Sequence, residues 1–332
     1  MTSPPAAAAY RGKRVVLTGA GGYIGTVILS LLRDVDCAVR AVVPPSKLQD
    51  ARAALPGLGP SGMEVVGCDI RAERDFRALL GECDIVIHLA AQTSHYEANA
   101  HPTDDFGINV APMLRLLESC REHGAAPQIV FASSATVVGL PQALPVDEQA
   151  RCVPITIYDV HKLCVEEYLR FFAREHGIPS CSLRLANVYG SSSVSAKPDR
   201  GVVNLMVKRA LSGEDLTVFG SGDWLRDYVH LDDVADAFLR AGVIPREIAD
   251  GRAFNVCTGI GTRFRDVLRL IADEAKKLTG RESRIVHVEK VLSAIDERSY
   301  VGNHDAFTRV SGFCPRVDLR SGVLELLQST LR

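Results

Sequence analysis

Hydrophobic and polar residues along the first half of the chain predict strands separated by helices. Five short runs rich in Val and Ile lack strict alternation, which is typical of parallel strands buried on both faces. These runs are Lys13–Thr18, Cys37–Val43, Met63–Cys68, Asp84–Ala90 and Gln128–Ser133. Between them, apolar residues at helical spacing predict helices over Tyr23–Arg33, Glu73–Leu80 and Asp104–His123. The alternation predicts an α/β fold with a doubly wound parallel sheet.

The second half of the chain is less regular and predicts a smaller lobe. The pattern predicts a long helix over Ile157–His176, a strand over Ser180–Ala186 and a polar loop over Tyr189–Gly201. Further helices are predicted at Val202–Leu211, Leu231–Ala241 and Arg263–Leu278. We expect a main domain over residues 10–186, to which residues 227–258 return. Residues 187–226 and 259–332 form the C-terminal lobe, packed on the carboxyl ends of the strands, where open α/β sheets bind ligands.

Charge and cysteine usage narrow the class of protein. The 332 residues carry a formal net charge of −2, and the basic clusters are short, so no nucleic-acid partner is expected. The N-terminus lacks the pattern of a signal peptide and no run of 18 apolar residues occurs, so no membrane span is expected. Nine cysteines without a C-x-x-C pair indicate reduced thiols in a cytoplasmic protein. The loosely spaced His88, His95 and His101 do not predict a metal site.

A glycine-rich turn follows the first predicted strand and precedes the first predicted helix. In "VVLTGAGGYIG" the glycines are Gly19, Gly22 and Gly25. Glycine permits positive φ and a close backbone approach to a pyrophosphate, whose charge the helix N-terminus stabilises. A tight turn without a ligand is the alternative. The strand–turn–helix context favours a dinucleotide site.

The end of the second predicted strand lacks the acidic residue that usually binds the adenosine ribose. In "AVVPPSK" two prolines follow Val43 instead. A carboxylate there would accept hydrogen bonds from the ribose diol of NAD and repel the 2′-phosphate of NADP. Its absence removes that repulsion, and Lys47 or Arg40 could supply a positive charge. The sequence therefore favours NADP(H), with NAD(H) as the alternative.

A tyrosine and a lysine lie four residues apart at the start of the long predicted helix. In "IYDVHK" the spacing places Tyr158 and Lys162 on one helix face. An ammonium near a phenol favours the phenolate, as a proton-transfer catalyst requires. Alone, such a pair is usually a solvated helix face. The hydroxyls of Ser133, Ser134 and Thr136, expected at a strand end above the glycine turn, favour a catalytic site instead.

Together these motifs resemble the extended short-chain dehydrogenase/reductase family, in its nucleotide-sugar epimerase/dehydratase/reductase branch, and the likeness covers nearly the whole chain. The resemblance implies a Rossmann sheet, with Ser134, Tyr158 and Lys162 as catalytic residues. His88 is then a strand residue without a catalytic role. The implied cofactor-binding residues are Gly19, Gly22, Tyr23, Ile24, Gly25, Asp69, Ile70, Leu89, Ala90, Ala91 and Lys162.

The resemblance also implies that the C-terminal lobe binds the diphosphate and base of a nucleotide sugar. The substrate-binding residues are then Asn187, Asn204, Leu205, Thr217, Phe219, Arg226 and Arg298. Two guanidinium groups converging on a diphosphate would bind its oxygens bidentately. A homodimer is expected by the same resemblance, through helices Asp104–His123 and Ile157–His176 in a four-helix bundle.

Three functions remain open on the sequence. A 4,6-dehydratase of this branch carries an Asp–Glu pair where Ala135 and Thr136 stand, so dehydration is disfavoured. The C-terminal segments look most like 4-ketoreductases of dTDP-4-keto-6-deoxyhexoses, and the missing acid after Val43 also favours a reductase. "SSATV" is equally the pattern of UDP-hexose 4-epimerases, which retain NAD. A non-enzymatic dinucleotide-sensing regulator ranks last, because such a protein would be expected to lose the Tyr–Lys pair.

Overall fold

A seven-stranded, fully parallel sheet organises the fold. The computed structural model describes residues 5–54, 62–192, 201–289 and 293–331. Its strands are Arg14–Thr18 (β1), Ala38–Val43 (β2), Met63–Gly67 (β3), Ile85–His88 (β4), Gln128–Ser134 (β5), Ser180–Leu185 (β6), Asn187–Tyr189 (β7), Leu216–Phe219 (β8), Leu225–His230 (β9), Asp250–Val256 (β10), Gly261–Arg263 (β11) and Ile285–Val288 (β12). The order of strands in the main sheet is β10-β6-β5-β4-β1-β2-β3. The α/β, doubly wound Rossmann fold predicted from the sequence is confirmed.

Each predicted helix is present, two of them with clearly different limits, and the chain contains further helices that the sequence pattern did not predict. They are Pro5–Ala8 (α1), Tyr23–Leu32 (α2), Leu48–Ala54 (α3), Arg77–Leu80 (α4), His95–Ala100 (α5), Pro102–Asn109 (α6), Ala111–Glu122 (α7), Ile157–His176 (α8), Val202–Ser212 (α9), Leu231–Ala241 (α10), Phe264–Thr279 (α11), Ala294–Glu297 (α12), Asp305–Ser311 (α13) and Leu319–Leu331 (α14).

Local chemistry explains both differences. The helix predicted over Asp104–His123 divides at Val110 into α6 and α7, because Pro112 lacks an N–H and its ring clashes with the carbonyl four residues earlier. The helix predicted over Glu73–Leu80 is confined to its last turn. The Asp75 carboxylate accepts a hydrogen bond from the Arg77 backbone N–H, so the helix begins there.

Alternate residues of the central strands bury their side chains on opposite faces of the sheet. On β4, Ile85 and Ile87 belong to the core under α2 and α10, and Val86 belongs to the core under α7 and α8. On β5, Val130 and Phe131 divide in the same way. Burial on both faces accounts for the continuous apolar runs in these strands.

The chain leaves the main sheet after β6 and returns to it at β10, which pairs in parallel with β6. Between and beyond these strands lie a three-stranded sheet, β11-β9-β7, and a two-stranded sheet, β12-β8. Helices α9, α11 and α14 pack over the third core cluster, which includes Met206, Leu216, Ile271 and Leu326.

Two sequence expectations concern segments beyond the sheet. Part of the loop predicted over Tyr189–Gly201 lies outside the described residues. No helix within the described part of the chain is long and apolar enough to cross a membrane.

Candidate active site

The glycine-rich turn between β1 and α2 packs closely against neighbouring backbone and lines a groove. Gly19 has a φ of +69°, and a Cβ built on it would lie 2.8 Å from the backbone nitrogen of Ala90. A Cβ on Gly25 would lie 2.5 Å from the Gly19 carbonyl oxygen, so only glycine lets α2 pack this closely. Gly22 precedes α2 without a side-chain cap, which leaves first-turn N–H groups available to an anion. The turn fits a pyrophosphate.

A groove of about 420 Å³ extends from this turn along the carboxyl ends of the strands. Eight of the predicted cofactor-binding residues line it: Gly19, Gly22, Tyr23, Asp69, Ile70, Leu89, Ala90 and Ala91. The other three, Ile24, Gly25 and Lys162, line an adjoining cavity of about 220 Å³, which also contains Gly19 and Ala91. The groove and the cavity share residues and form one elongated site.

The end of the groove beyond β2, where the sequence predicts the adenosine ribose, carries a charge pair. Both residues at the end of the strand line the groove: Val43 is 2% exposed and belongs to the core, and Pro44 is exposed. A short 3₁₀ turn leads into α3 and places Lys47 and Asp50 on the groove, with the Lys47 Nζ 3.5 Å from an Asp50 carboxylate oxygen. A carboxylate therefore lies near the position where the strand lacks one.

Arg40 does not supply the positive charge that the sequence suggested for it. Its Nε donates to the Glu64 carboxylate at 2.9 Å, and its Nη1 donates to the carbonyl oxygens of Ala78 and Leu79. With Glu64 it lines a neighbouring cavity, which meets the groove at Cys68 and Asp69. Of the two cations that the sequence suggested, Lys47 lies on the groove and Arg40 does not.

The smaller cavity brings together the three predicted catalytic residues, Ser134, Tyr158 and Lys162. Ser134 ends β5, and its Oγ lies 2.8 Å from the Thr136 Oγ1 and accepts a hydrogen bond from the Thr136 backbone N–H. Tyr158 and Lys162 are both buried on the first turns of α8. The Lys162 Nζ donates to the Ala132 carbonyl at 2.8 Å and lies 5.6 Å from the centre of the Tyr158 ring.

A buried polar network supports this cavity from behind. One turn after Lys162 on α8, the Glu166 carboxylate accepts a hydrogen bond from the Ser133 hydroxyl. The Arg184 Nη2 on β6 contacts the same carboxylate at 2.7 Å. The network thus joins β5, β6 and α8 directly beneath the predicted catalytic residues.

His88 lies inside the sheet, with its Nδ1 3.0 Å from the Thr18 hydroxyl oxygen. Burial lowers the pKa of His88 to about 3, with a further contribution from the Lys162 ammonium, so the ring is neutral. In the part of the chain that the structure describes, no group of three or more His, Cys, Asp or Glu residues is arranged to hold a metal ion.

Five of the predicted substrate-binding residues occupy the C-terminal lobe and its junction with the main domain. The Asn187 amide donates to the Asp227 carbonyl, and the buried Asn204 amide donates to the Gly190 carbonyl at 2.7 Å. The Asn204 amide also donates to the Tyr23 hydroxyl at 3.3 Å and so connects α9 with α2. Leu205 on α9 and Phe219 on β8 are exposed. The hydroxyl of Thr217 on β8 accepts a hydrogen bond from the Arg209 guanidinium.

The two arginines predicted to bind a diphosphate have different surroundings. The Arg226 Nη2 donates to the Asp296 carbonyl at 2.7 Å and its Nη1 to the Leu225 carbonyl at 3.3 Å, which leaves the remaining guanidinium N–H groups for a ligand. Arg298 forms a buried ion pair, in which its Nη2 donates to the Asp159 carboxylate at 3.0 Å. Two of its nitrogens are used inside the protein, and its Nε is buried without a hydrogen-bond partner among the residues that the structure describes. The diphosphate contact of Arg298 therefore stays a prediction and is not carried into the proposed function.

Sequence reasoning missed two residues beside Tyr158. The His95 ring meets the Tyr158 ring edge-on, with 4.9 Å between the ring centres. Asp159 is fully buried, and one of its oxygens lies 3.8 Å from the His95 Nδ1. The sequence does show an acidic residue, Asp159, directly after the predicted catalytic tyrosine. Sequence spacing could not show that His95 contacts both Tyr158 and Asp159, because His95 lies more than 60 residues earlier in the chain.

The fold and the site define an enzyme of the extended short-chain dehydrogenase/reductase class. Residues 15–257 match the model of the NAD dependent epimerase/dehydratase family, and the chain belongs to that family.

Relatives and solved structures agree with this assignment. A UDP-glucose 4-epimerase from Mycolicibacterium smegmatis is 33% identical over 264 residues, which cover 78% of this chain and 82% of the relative. The crystal structure of a UDP-glucose 4-epimerase with UDP-glucose, from Thermotoga maritima, superposes with a TM-score of 0.80 at 27% identity, covering 96% of this chain and 100% of that one. The Thermus thermophilus UDP-glucose 4-epimerase in complex with NAD gives a TM-score of 0.75 at 27% identity, with 95% and 98% covered.

Proposed function

We propose that the protein is a nucleotide-sugar 4-epimerase that retains NAD(H) between turnovers. The observation that carries this proposal is the continuity of the two cavities. The cavity containing Ser134, Tyr158 and Lys162 adjoins the groove at the glycine turn. A sugar held over these side chains would lie beside the nicotinamide end of a bound dinucleotide.

The chemistry of these residues suits the removal and return of a proton at a sugar hydroxyl. When bound, the nicotinamide ring supplies reversible hydride uptake at the sugar carbon. Tyr158 would accept the proton of the 4-hydroxyl and return it to the same oxygen once the sugar has turned its opposite face toward the nicotinamide end of the groove. The Lys162 ammonium stabilises negative charge on the phenol oxygen. Ser134 donates a hydrogen bond to the sugar oxygen while that oxygen gains charge.

The relatives support the epimerase over the 4-ketoreductase, which the sequence placed first. The relatives described above are all UDP-glucose 4-epimerases. A net reductase must exchange its cofactor after each turnover. An epimerase oxidises and then reduces the same sugar, so its cofactor returns to the starting state without leaving the protein. The regulator hypothesis has lost its basis, because the family is one of enzymes.

The charge pair beyond β2 supports NAD(H) instead of the NADP(H) favoured by the sequence. The Lys47 ammonium is partly neutralised by Asp50, 3.5 Å away, and Arg40 lies elsewhere. The Asp50 carboxylate can accept hydrogen bonds from a ribose diol and would repel a 2′-phosphate. Asp50, supplied by α3 instead of the strand end, would then perform the role of the missing acid.

For the substrate we propose a UDP-hexose bound through the C-terminal lobe. Arg226 would contact the diphosphate, and the exposed Phe219 on β8 would pack against the base. Asn187, Asn204, Leu205 and Thr217 remain proposed contacts with the same nucleotide.

A homodimer remains part of the proposal. Three large apolar side chains on the two predicted interface helices are exposed: Phe106 on α6 is 42% exposed, and Val160 and Phe171 on α8 are each 46% exposed. A face with this many exposed apolar groups is suited to burial against a second copy.

The decisive experiment incubates the purified protein with UDP-glucose and UDP-galactose, with and without added NADPH. We expect the two sugars to be interconverted without added cofactor. We also expect the purified protein to release NAD(H) when it is denatured. A separate incubation with a dTDP-4-keto-6-deoxyhexose and NADPH tests the reductase. Net NADPH consumption there, without interconversion of the UDP-hexoses, would establish the 4-ketoreductase instead.

A further inference from the structure

A buried ion pair stands next to the tyrosine of the candidate site. Asp159 follows Tyr158 directly on α8, and its carboxylate is 3.0 Å from the Arg298 Nη2. The side chains of Asp159 and Arg298 are 0% and 6% exposed. Burying two charges is costly, and the pair rarely stabilises a fold more than apolar packing would. Its position therefore suggests a role besides stability.

The same guanidinium contacts both segments that carry the proposed catalytic hydroxyls. Arg298 Nη1 donates to the Thr136 carbonyl at 3.2 Å, and the Thr136 side chain is hydrogen-bonded to Ser134. Its Nη2 holds the residue after Tyr158. Arg298 comes from the C-terminal lobe, two residues after Asp296, whose carbonyl accepts a hydrogen bond from Arg226. One arginine thus links the Ser134 turn, the start of α8 and the substrate lobe.

We infer that Asp159 and Arg298 are positioning residues for Tyr158, acting as a charge-balanced pair that fixes the first turn of α8 against the Ser134 turn. The inference rests on the proposed function, in which Tyr158 transfers the proton. The pair holds the phenol in place without imposing a net charge on it. If either member alone is neutralised, the remaining charge acts on Tyr158 from nearby.

Two other ionisable groups face Tyr158. The Lys162 Nζ lies 5.6 Å from the centre of its ring, and His95 contacts its edge. Burial lowers the pKa of His95, an effect that Asp159 opposes and Arg298 reinforces. His95 is therefore neutral at the alkaline pH where tyrosines ionise, and Lys162 is unchanged in each variant described below. A difference between variants in the titration midpoint of Tyr158 then measures the effect of the ion pair.

The inference predicts opposite effects from the two halves of the pair. Arg298→Gln leaves the Asp159 carboxylate unbalanced, so ionisation of Tyr158 should require a higher pH. Asp159→Asn leaves the guanidinium unbalanced, so ionisation should occur at a lower pH. A unit charge roughly 10 Å away at an effective dielectric constant of about 20 shifts a titration midpoint by about one pH unit. The double variant should return to within a few tenths of a unit of wild type.

The measurement is the ultraviolet absorbance of tyrosinate against pH, with the curve of Tyr158→Phe subtracted for each background. Burial raises the pKa of Tyr10, Tyr189, Tyr228 and Tyr300, so these residues ionise later. Arg240→Gln is the matched control, because it breaks a partly buried Arg–Asp pair on α10 and should leave the Tyr158 midpoint unchanged.

Shifts in opposite directions, cancelled in the double variant, support the inference. Shifts of the same sign, or none in folded variants, overturn it. Arg298→Lys keeps the positive charge and should keep the wild-type titration midpoint of Tyr158. If Arg298→Gln does not fold, Arg298→Lys and Asp159→Asn still test the inference. Calorimetric titration with UDP should show unchanged affinity in Arg298→Gln. A tenfold loss of affinity would show instead that Arg298 binds the diphosphate. No readout here needs turnover, so failure of the epimerase assay is distinguishable from failure of this inference.

Discussion

Replacing Asp50 by Asn should shift the cofactor preference toward NADP(H). We expect the wild-type protein to bind NADH more tightly than NADPH, because the Asp50 carboxylate on the groove would repel a 2′-phosphate. Asn retains the size and a hydrogen-bonding oxygen but removes the charge. The substitution should therefore strengthen NADPH binding while changing NADH binding much less.

The expected magnitude follows from the exposure and separation of the charges. The Lys47 and Asp50 side chains are 57% and 77% exposed, so water and salt screen their interactions strongly. A phosphate with about two negative charges, roughly 6 Å from the carboxylate, is then repelled by about 1 kcal/mol. That energy corresponds to about a fivefold change in the ratio of the NADPH and NADH dissociation constants.

The assay is fluorescence titration of both reduced cofactors against wild type and variants, after removal of bound nucleotide. Lys47→Met should weaken NADPH more than NADH, and Asp34→Asn, an exposed carboxylate away from the groove, should change neither. A wild-type preference for NADPH, or an Asp50→Asn ratio equal to that of wild type, would refute the assignment of Asp50. Pro44→Asp is preferable to Val43→Asp for restoring a strand-end acid, because Val43 is buried and a carboxylate there would destabilise the core.

Four further outcomes test the site and the assembly. Tyr158→Phe should reduce turnover at least about 100-fold with nearly unchanged NADH affinity, since only the transferable proton is lost; near wild-type turnover in a rate assay would contradict its role. Lys162→Ala should reduce both turnover and cofactor affinity, and a change in only one would disprove its double role. Arg226→Ala should raise the KM for a UDP-sugar about tenfold or more, with UDP affinity measured by calorimetry falling in parallel; an unchanged affinity would exclude the diphosphate contact. Solution scattering should show a dimer at micromolar concentration, and Phe171→Glu should favour the monomer; a wild-type monomer would reject the proposed interface.

Local sequence signals were sufficient for most of the fold. The central strands begin and end close to their predicted limits because both faces are buried and the apolar runs stop where the burial stops. Helix α8 has the predicted limits, since the Thr156 hydroxyl accepts from the Asp159 N–H at its start and Gly177 ends it with a φ of +64°. These features depend on neighbours within a few residues.

The features that the sequence did not predict are contacts between distant parts of the chain. Arg298 and Asp159 are 139 residues apart, and no spacing rule pairs them. Arg40 points away from the cofactor groove because the side chains of a strand alternate between faces, and its neighbours there are Glu64 and two backbone carbonyls. Asp50 reaches the groove only because the chain turns at the prolines into a helix, a path that the strand pattern could not specify.

The pairing of β6 with β10 has a consequence for biosynthesis. The outer edge of β6 is complete only when β10 joins it, and β10 begins at Asp250, after the segment that visits the other lobe. At translation rates of about 5–20 residues per second, that edge remains open for several seconds, with unpaired backbone groups that can recruit another strand. A nascent chain that pauses between Leu185 and Asp250 is therefore exposed to aggregation through this edge. Shielding by a chaperone would be most valuable over this interval.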